Sequence, residues 1–105
     1  MNLEAARKKY IPMTETMFYI LLSLQEERHG YGIMQHVQHL THGRLTLGAG
    51  TIYQSLGKLS GDGLIRATGE SDRQKRYRIT DMGKEILLAE ARRIRELYQS
   101  VEELL

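Results

Sequence analysis

The chain has 105 residues, a length that suits one domain with a modest hydrophobic core. It contains no cysteine, which excludes disulfides, thiol nucleophiles and thiolate metal ligands and is consistent with a cytoplasmic protein. Its net charge of +2 is too small to indicate a nucleic-acid partner, so the distribution of charge along the chain matters more than the total.

Residues 1 to 12 are polar and end at Pro12, and their charges do not fit a signal peptide, so we predict an N-terminal arm rather than an export signal. A helix is predicted next, with Thr14 as its cap and an end near Glu27, because apolar residues then follow helical spacing. The longest apolar run, Met17 to Leu22, is too short to cross a membrane, and we expect no membrane partner.

A turn is predicted at His29-Gly-Tyr-Gly32, where two glycines can adopt positive φ. A second helix follows from Ile33 and ends before Gly43. Leu45 and Leu47 alternate with polar residues, and this pattern predicts a very short strand.

The segment from Ala49 to Asp62 predicts a third helix in spite of its glycines. Ile52, Leu56 and Leu59 recur at helical spacing and therefore share one apolar face. The other face combines hydroxyl, phenol, amide and amine groups, which belong to Thr51, Tyr53, Gln54, Ser55 and Lys58.

Two strands are predicted after the third helix, from Leu64 to Thr68 and from Lys75 to Ile79, with a polar, basic hairpin tip between them. Thr80 then caps a final helix that runs to Leu105. Between residues 58 and 78 there are six basic and three acidic side chains, so this part of the chain is clearly basic.

Three helices followed by a hairpin and a long helix indicate a mainly α fold with a small β-hairpin, namely a winged helix-turn-helix. We predict a DNA-binding domain with its N-terminal arm over residues 1–79 and a dimerisation helix over residues 80–105.

In a winged helix-turn-helix the third helix enters the major groove of double-stranded DNA. The amide of Gln54 can pair with adenine, whereas Tyr53 and Lys58 suit the phosphate backbone. The hairpin tip would contact the neighbouring groove or its phosphates through Arg73, Lys75 and Arg76. The alternative is an ordinary amphipathic helix with a solvated face, as in winged helices that dock on proteins.

Several segments together resemble the PadR family of bacterial transcriptional regulators. They are His29-Gly-Tyr-Gly-Ile33, Gly50-Thr-Ile-Tyr53 with the leucines that follow, and Arg76-Tyr-Arg-Ile-Thr-Asp-Met-Gly83. The resemblance implies a repressor that dimerises through its C-terminal helix and responds to a small aromatic or hydrophobic effector. The single helix after the hairpin resembles the short branch of the family.

The final helix carries an apolar seam whose members recur at intervals of four and three residues. From 26 residues we expect a helix of about 39 Å, which is too long for a small monomer to cover. A homodimer would bury the seam, so a palindromic operator is expected; the alternative is packing on the chain's own core. The predicted interface comprises Leu87, Ala91, Ile94, Leu97, Tyr98, Val101, Leu104 and Leu105.

An effector site is predicted where the small Ala91 leaves room at the middle of this helix, beside an apolar wall with one phenol. Methionine adapts to flat ligands, and the first helix would supply the opposite wall. The predicted site comprises Met17, Phe18, Ala91, Ile94 and Tyr98. The alternative is that all five are simply core residues.

No catalytic or cofactor-binding pattern is recognisable in the sequence. His36, His39 and His42 lie three residues apart but lack a further ligand at metal-binding spacing, so we expect no metal and no cofactor. No carboxylate pair, nucleophile with a base or phosphate-binding loop indicates an enzyme. Besides a DNA-binding repressor, a protein-docking winged helix and a small-molecule carrier remain open.

Overall fold

The computed structural model describes all 105 residues and contains five α-helices and one antiparallel sheet of three strands. The helices are α1 (Leu3–Tyr10), α2 (Glu15–Ser23), α3 (Gly30–Leu40), α4 (Ala49–Gly61) and α5 (Asp81–Val101), and a 3-10 turn follows at Glu102–Leu104. The strands are β1 (Arg28–His29), β2 (Ile65–Ser71) and β3 (Gln74–Ile79), in the order β1-β3-β2. The predicted winged helix-turn-helix with a long C-terminal helix is confirmed.

One hydrophobic core joins all five helices and the base of the sheet. All five helices and the strands β2 and β3 contribute buried apolar side chains to one cluster, so no part of the fold closes a core of its own. The largest of them are Ile20, Leu21, Leu24, Ile33, Val37, Ile52, Leu56, Leu59, Leu64, Ile65 and Ile86. Ile86 of α5 lies in this core, so the predicted boundary at residue 80 does not divide the chain into two parts with separate cores. The division of the chain into a DNA-binding domain and a dimerisation helix stays a prediction.

The N-terminal arm contains a helix that the sequence analysis did not predict. The Asn2 side chain caps α1 by accepting a hydrogen bond of 2.8 Å from the Ala5 N–H. Ala6 and Tyr10, four residues apart, turn one face of α1 into the core. Two buried positions in eight residues are too few for a periodic signal, which is why the sequence pattern missed this helix.

The helix predicted to end near Glu27 is α2, and it ends earlier, at Ser23. The cause is a contact with the sheet, because the carbonyl of Leu24 accepts a 2.8 Å hydrogen bond from the Ile79 N–H. The chain then forms β1, in which Arg28 lies opposite Tyr77 of β3. The sheet therefore has a third strand in addition to the predicted hairpin.

The predicted turn at residues 29–32 is instead the start of α3. The His29 side chain caps this helix, since its Nδ1 accepts a 3.0 Å hydrogen bond from the Gly32 N–H. Gly30 and Gly32 do not have positive φ; among the glycines only Gly43 and Gly63, beyond the ends of α3 and α4, do.

The predicted strand at Leu45–Leu47 does not form. Thr41 replaces strand pairing by local hydrogen bonds, because its hydroxyl donates to the Val37 carbonyl (2.9 Å) and accepts from the Leu45 N–H (3.1 Å). Leu47 is buried in the core, so this apolar residue anchors the loop to the core and is not part of a strand.

A buried carboxylate connects α5 with the segment between α1 and α2. Glu90 is 1% exposed; it accepts a 2.7 Å hydrogen bond from the Met13 N–H and a 2.9 Å hydrogen bond from Arg93 Nη2. Burial alone would raise the pKa of Glu90, but these two donors hold it below its usual range. Glu90 is therefore paired and ionised inside the fold.

The start of α5 passes very close to the end of the loop before β2. The Thr80 hydroxyl accepts a 3.1 Å hydrogen bond from the Gly83 N–H and donates a 2.6 Å hydrogen bond to the Gly63 carbonyl. A Cβ on Gly83 would overlap the Leu64 carbonyl oxygen and lie 2.7 Å from Cγ1 of Ile79. This junction accounts for the glycine at the end of the Ile79-Thr-Asp-Met-Gly83 motif.

We predict that Gly83→Ala destabilises the protein by about 1–3 kcal/mol or more, because the backbone of Leu64 must move to admit a methyl group. Gly57→Ala is the matched control, since nothing lies within 4 Å of its added Cβ. This control should stabilise α4 by up to about 1 kcal/mol through helix propensity. Urea unfolding measures both, and equal midpoints for the two variants would contradict the close approach at Gly83.

Candidate nucleic-acid interface

The helix α4, which corresponds to the predicted third helix, has one buried and one exposed face. Ile52, Leu56 and Leu59 are fully buried and fix the rotation of α4 about its axis. As a result, the side chains on the opposite side are all exposed. We call this set the reading face; it comprises Thr51, Tyr53, Gln54 and Lys58.

Ser55 does not belong to the reading face, and its assignment to the DNA-contacting residues is corrected. Its exposure is only 8%. Ser55 lies three residues after Ile52 and four before Leu59, and it therefore shares their inward side. Because serine is small and polar, the sequence predicts an exposed side chain here and does not reveal that Ser55 faces inward.

Tyr53 packs over the first residue of α3. Its ring and hydroxyl lie 3.1 Å from the position that a Cβ on Gly30 would occupy, while 60% of the residue stays exposed. Tyr31 is also exposed and stacks on His29 with 6.5 Å between the ring centroids. Because the sequence pattern at residues 29–32 predicts a turn, it does not reveal Tyr31 as a second exposed tyrosine near the reading face.

The hairpin formed by β2 and β3, which we call the wing, ends in a two-residue turn. Asp72 and Arg73 both have positive φ, at 53° and 64°, as a type I′ turn requires. Arg73 and Lys75 are exposed, and neither lies within ion-pair distance of a carboxylate. These two cations at the tip are available to an external anion.

Arg76, the third predicted wing contact, is already engaged within the protein. Its Nε lies 2.9 Å from Oε1 of Glu27, as an ion pair rather than an aligned hydrogen bond. Its Nη1 donates a 2.6 Å hydrogen bond to the Ser71 hydroxyl. Arg76 therefore links the wing to the segment before β1, and contact with DNA would compete with Glu27.

The C-terminal half of α5 and the residues that follow it carry six of the eleven large apolar side chains that are exposed. Leu87 is an exception among the predicted interface residues, because it is 6% exposed and packs in the chain's own core; this assignment is corrected. Beyond Glu90 the helix extends past the core, and the remaining predicted residues are all exposed. They are Ala91, Ile94, Leu97, Tyr98, Val101, Leu104 and Leu105.

An apolar cavity of about 350 Å³ lies between α2 and α5. Of the predicted effector residues, Phe18 and Ala91 line it, and Ile94 joins Phe18 in an adjacent hollow of about 290 Å³. Met17 lines a different hollow, and Tyr98 lines none of the cavities. The sequence pattern did not reveal the other residues of the cavity, which are Leu22, Gln25, Lys84, Leu87 and Leu88.

The structure brings together no group of three histidine, aspartate or glutamate side chains that could hold a metal ion. His36 instead approaches the Ser23 hydroxyl, with 2.9 Å between Nδ1 and Oγ. No helix is both long enough and apolar enough to cross a membrane.

Several solved structures with the same fold are transcriptional regulators. A transcriptional regulator from Clostridium thermocellum has a TM-score of 0.73 at 20% identity, covering 100% of this chain and 98% of that chain. A PadR family transcription regulator from Clostridium difficile has a TM-score of 0.73 at 21% identity, covering 87% and 98%. A PadR-like transcriptional regulator from Bacillus cereus has a TM-score of 0.69 at 26% identity, covering 85% and 88%.

No curated protein sequence matches the chain significantly. The sequence model of the transcriptional regulator PadR-like family, however, matches residues 20–89, which include α3, α4, the wing and the start of α5. The members of this family regulate transcription and are not enzymes. On this match and the shared fold, the chain belongs to the PadR-like family of transcriptional regulators.

Proposed function

We propose that the protein is a sequence-specific DNA-binding repressor that acts as a homodimer and is released from its operator by a small aromatic or hydrophobic effector. The observation that carries the DNA-binding part is the exposed reading face on α4, whose rotation is fixed by the buried Ile52, Leu56 and Leu59. Its amide, phenol and amine side chains match the base edges and phosphates of a major groove.

The reading face and the wing have different roles in this proposal. Gln54 is the candidate for base recognition, because an amide can both donate to and accept from adenine. Tyr53, Thr51 and Lys58 position α4 on the backbone. Arg73 and Lys75 of the wing add contacts that do not depend on sequence.

A winged helix that docks on another protein and a carrier that only binds a small molecule are the alternatives. Neither gives a role to the unpaired Arg73 and Lys75 at the wing tip. A gel shift with promoter DNA at low and physiological salt separates them, because only a DNA-binding protein shows salt-sensitive retardation.

The proposed dimer rests on the C-terminal half of α5. This helix has 21 residues and is about 31 Å long, and the chain as a whole extends over 49 Å. A contiguous apolar surface of this kind marks an interaction site, and a second copy supplies the same surface. The resulting twofold symmetry suits a palindromic operator with half-sites about 34 Å apart.

The proposed effector site is the cavity between α2 and α5. Its volume of about 350 Å³ lies within the range of small-molecule pockets, and its walls are mostly apolar. Phe18 and Leu22 of α2 face Ala91 of α5 across the cavity. A ligand in this cavity would release DNA only if it binds more tightly when α2 and α5 are arranged as in the state that does not bind the operator.

We predict that Gln54→Ala relaxes sequence preference, with a loss of about 1–3 kcal/mol of discrimination at one base pair of each half-site. Selection from a random DNA library measures this preference. Gln99→Ala, an exposed amide on α5, is the matched control and should keep the wild-type preference. An unchanged motif for Gln54→Ala would remove the assignment of this residue.

We predict that Val101→Asp converts the dimer into monomers, because the interface would bury an unpaired charge at a cost of several kcal/mol, as an order-of-magnitude value. Sedimentation velocity measures the assembly. Ser100→Asp introduces the same charge at the adjacent exposed residue and should remain dimeric. If Val101→Asp sediments like the wild type, the proposed seam is incorrect.

We predict that at least one compound from a panel of phenolic acids and planar dyes binds the protein and lowers its affinity for DNA. Ala91→Trp fills the cavity and should abolish this binding, whereas Ala5→Trp on the exposed side of α1 should not. Fluorescence titration with and without DNA measures both effects. Undiminished binding by Ala91→Trp would place the effector elsewhere.

A further inference from the structure

The C-terminal end of α1 is fastened to the C-terminal end of α4. Tyr10 is almost fully buried, and its hydroxyl donates a 2.6 Å hydrogen bond to Oδ2 of Asp62, the residue that caps α4. The same hydroxyl lies 3.5 Å from the Lys58 carbonyl oxygen. The N-terminal arm therefore has a defined place beside the helix that carries the reading face.

This contact brings a lysine of α1 next to a lysine of α4. The Nζ atoms of Lys9 and Lys58 lie 5.8 Å and 5.6 Å from the centroid of the Tyr10 ring. Both lysines line one hollow of about 90 Å³, together with Tyr10, Thr14 and Met17. Two lysines from different helices thus border the same small open space.

Asp62 neutralises only part of this positive charge. Its carboxylate lies 2.7 Å from the Lys9 Nζ. The hydrogen bonds from Lys9 and Tyr10, with the charge of Lys58, hold the pKa of Asp62 below its usual range. One carboxylate against two ammonium groups leaves an excess of one positive charge. Because an ammonium group has three donors and the Lys9 side chain is 41% exposed, Lys9 can donate to a second anion.

The position of the hollow indicates which anion fits. Lys58 belongs both to the hollow and to the reading face, so the two surfaces are continuous. When α4 occupies a major groove, the nearest external anions are the phosphates along its edge. We propose that Lys9 and Lys58 together bind a phosphodiester of the DNA backbone, so that α1 forms part of the DNA-binding surface. This inference rests on the proposed DNA-binding function.

The test uses the full-length protein and mixed-sequence duplex DNA, with the binding constant measured over a range of salt concentrations. Each phosphate contact contributes about 0.9 to the slope of log K against log salt. Lys9→Met should lower the slope measurably, by up to about 0.9, because Lys58 alone holds the shared phosphate less well, and Lys9→Arg should retain the slope. Lys8→Met is the matched control, because Lys8 lies on the solvent side of α1 and outside the hollow; its slope should equal the wild type.

A second variant separates phosphate binding from a purely structural role of the Lys9–Asp62 ion pair. Asp62→Asn removes the ion pair but keeps the Lys9 charge, so it should bind DNA at least as tightly as the wild type, with at least as steep a slope. A wild-type slope in Lys9→Met, an equal fall in Lys8→Met, or a weakening in Asp62→Asn as large as that in Lys9→Met would each overturn the inference. No salt-dependent binding by the wild type would instead contradict the proposed function itself.

Discussion

The burial of Ile52, Leu56 and Leu59 is the constraint on which the functional surface depends. These side chains set the rotation of α4, and neighbouring residues consequently differ sharply in environment: Tyr53 is exposed and Ser55 is buried. Intrinsic propensity contributes little to α4, because it contains internal glycines and its Gly48 cap offers no side-chain hydrogen bond. Tertiary packing therefore both forms this helix and orients its reading face.

The same division between buried and exposed surface explains α5. Its first half supplies Ile86, Leu87 and the paired Glu90 to the core, whereas its second half extends beyond the core. Beyond the buried Glu90, exposed apolar side chains continue along the helix. One amphipathic helix thus packs on its own protomer through its first half and, in our proposal, on a second copy through its second half. The cavity between α2 and α5 lies where these two parts of the helix join.

The sequence was sufficient to predict the elements with a strong local pattern. Helical spacing revealed α3, α4 and α5, and the alternation around a polar tip revealed the wing. The features that the sequence did not reveal depend on partners that are distant in the chain. The strand β1 forms by pairing with β3, where Arg28 lies opposite Tyr77. The segment before α2 is held by a hydrogen bond from the Met13 N–H to Glu90. Leu87 illustrates a second reason for error: an apolar seam in the sequence does not show which of its residues pack in the chain's own core and which remain exposed. Likewise, Lys9 of α1 had no assignable role until the structure showed that Tyr10 holds this end of α1 beside α4.

The most direct test of the central claim is to recover the genomic DNA that the purified protein binds and to sequence it. If a twofold dimer reads DNA with α4, the bound fragments will share an inverted repeat whose half-sites are centred about 34 Å apart, roughly one turn of the double helix. Fragments that share no motif, or that contain only single half-sites without twofold symmetry, would contradict a dimer that reads DNA in this way.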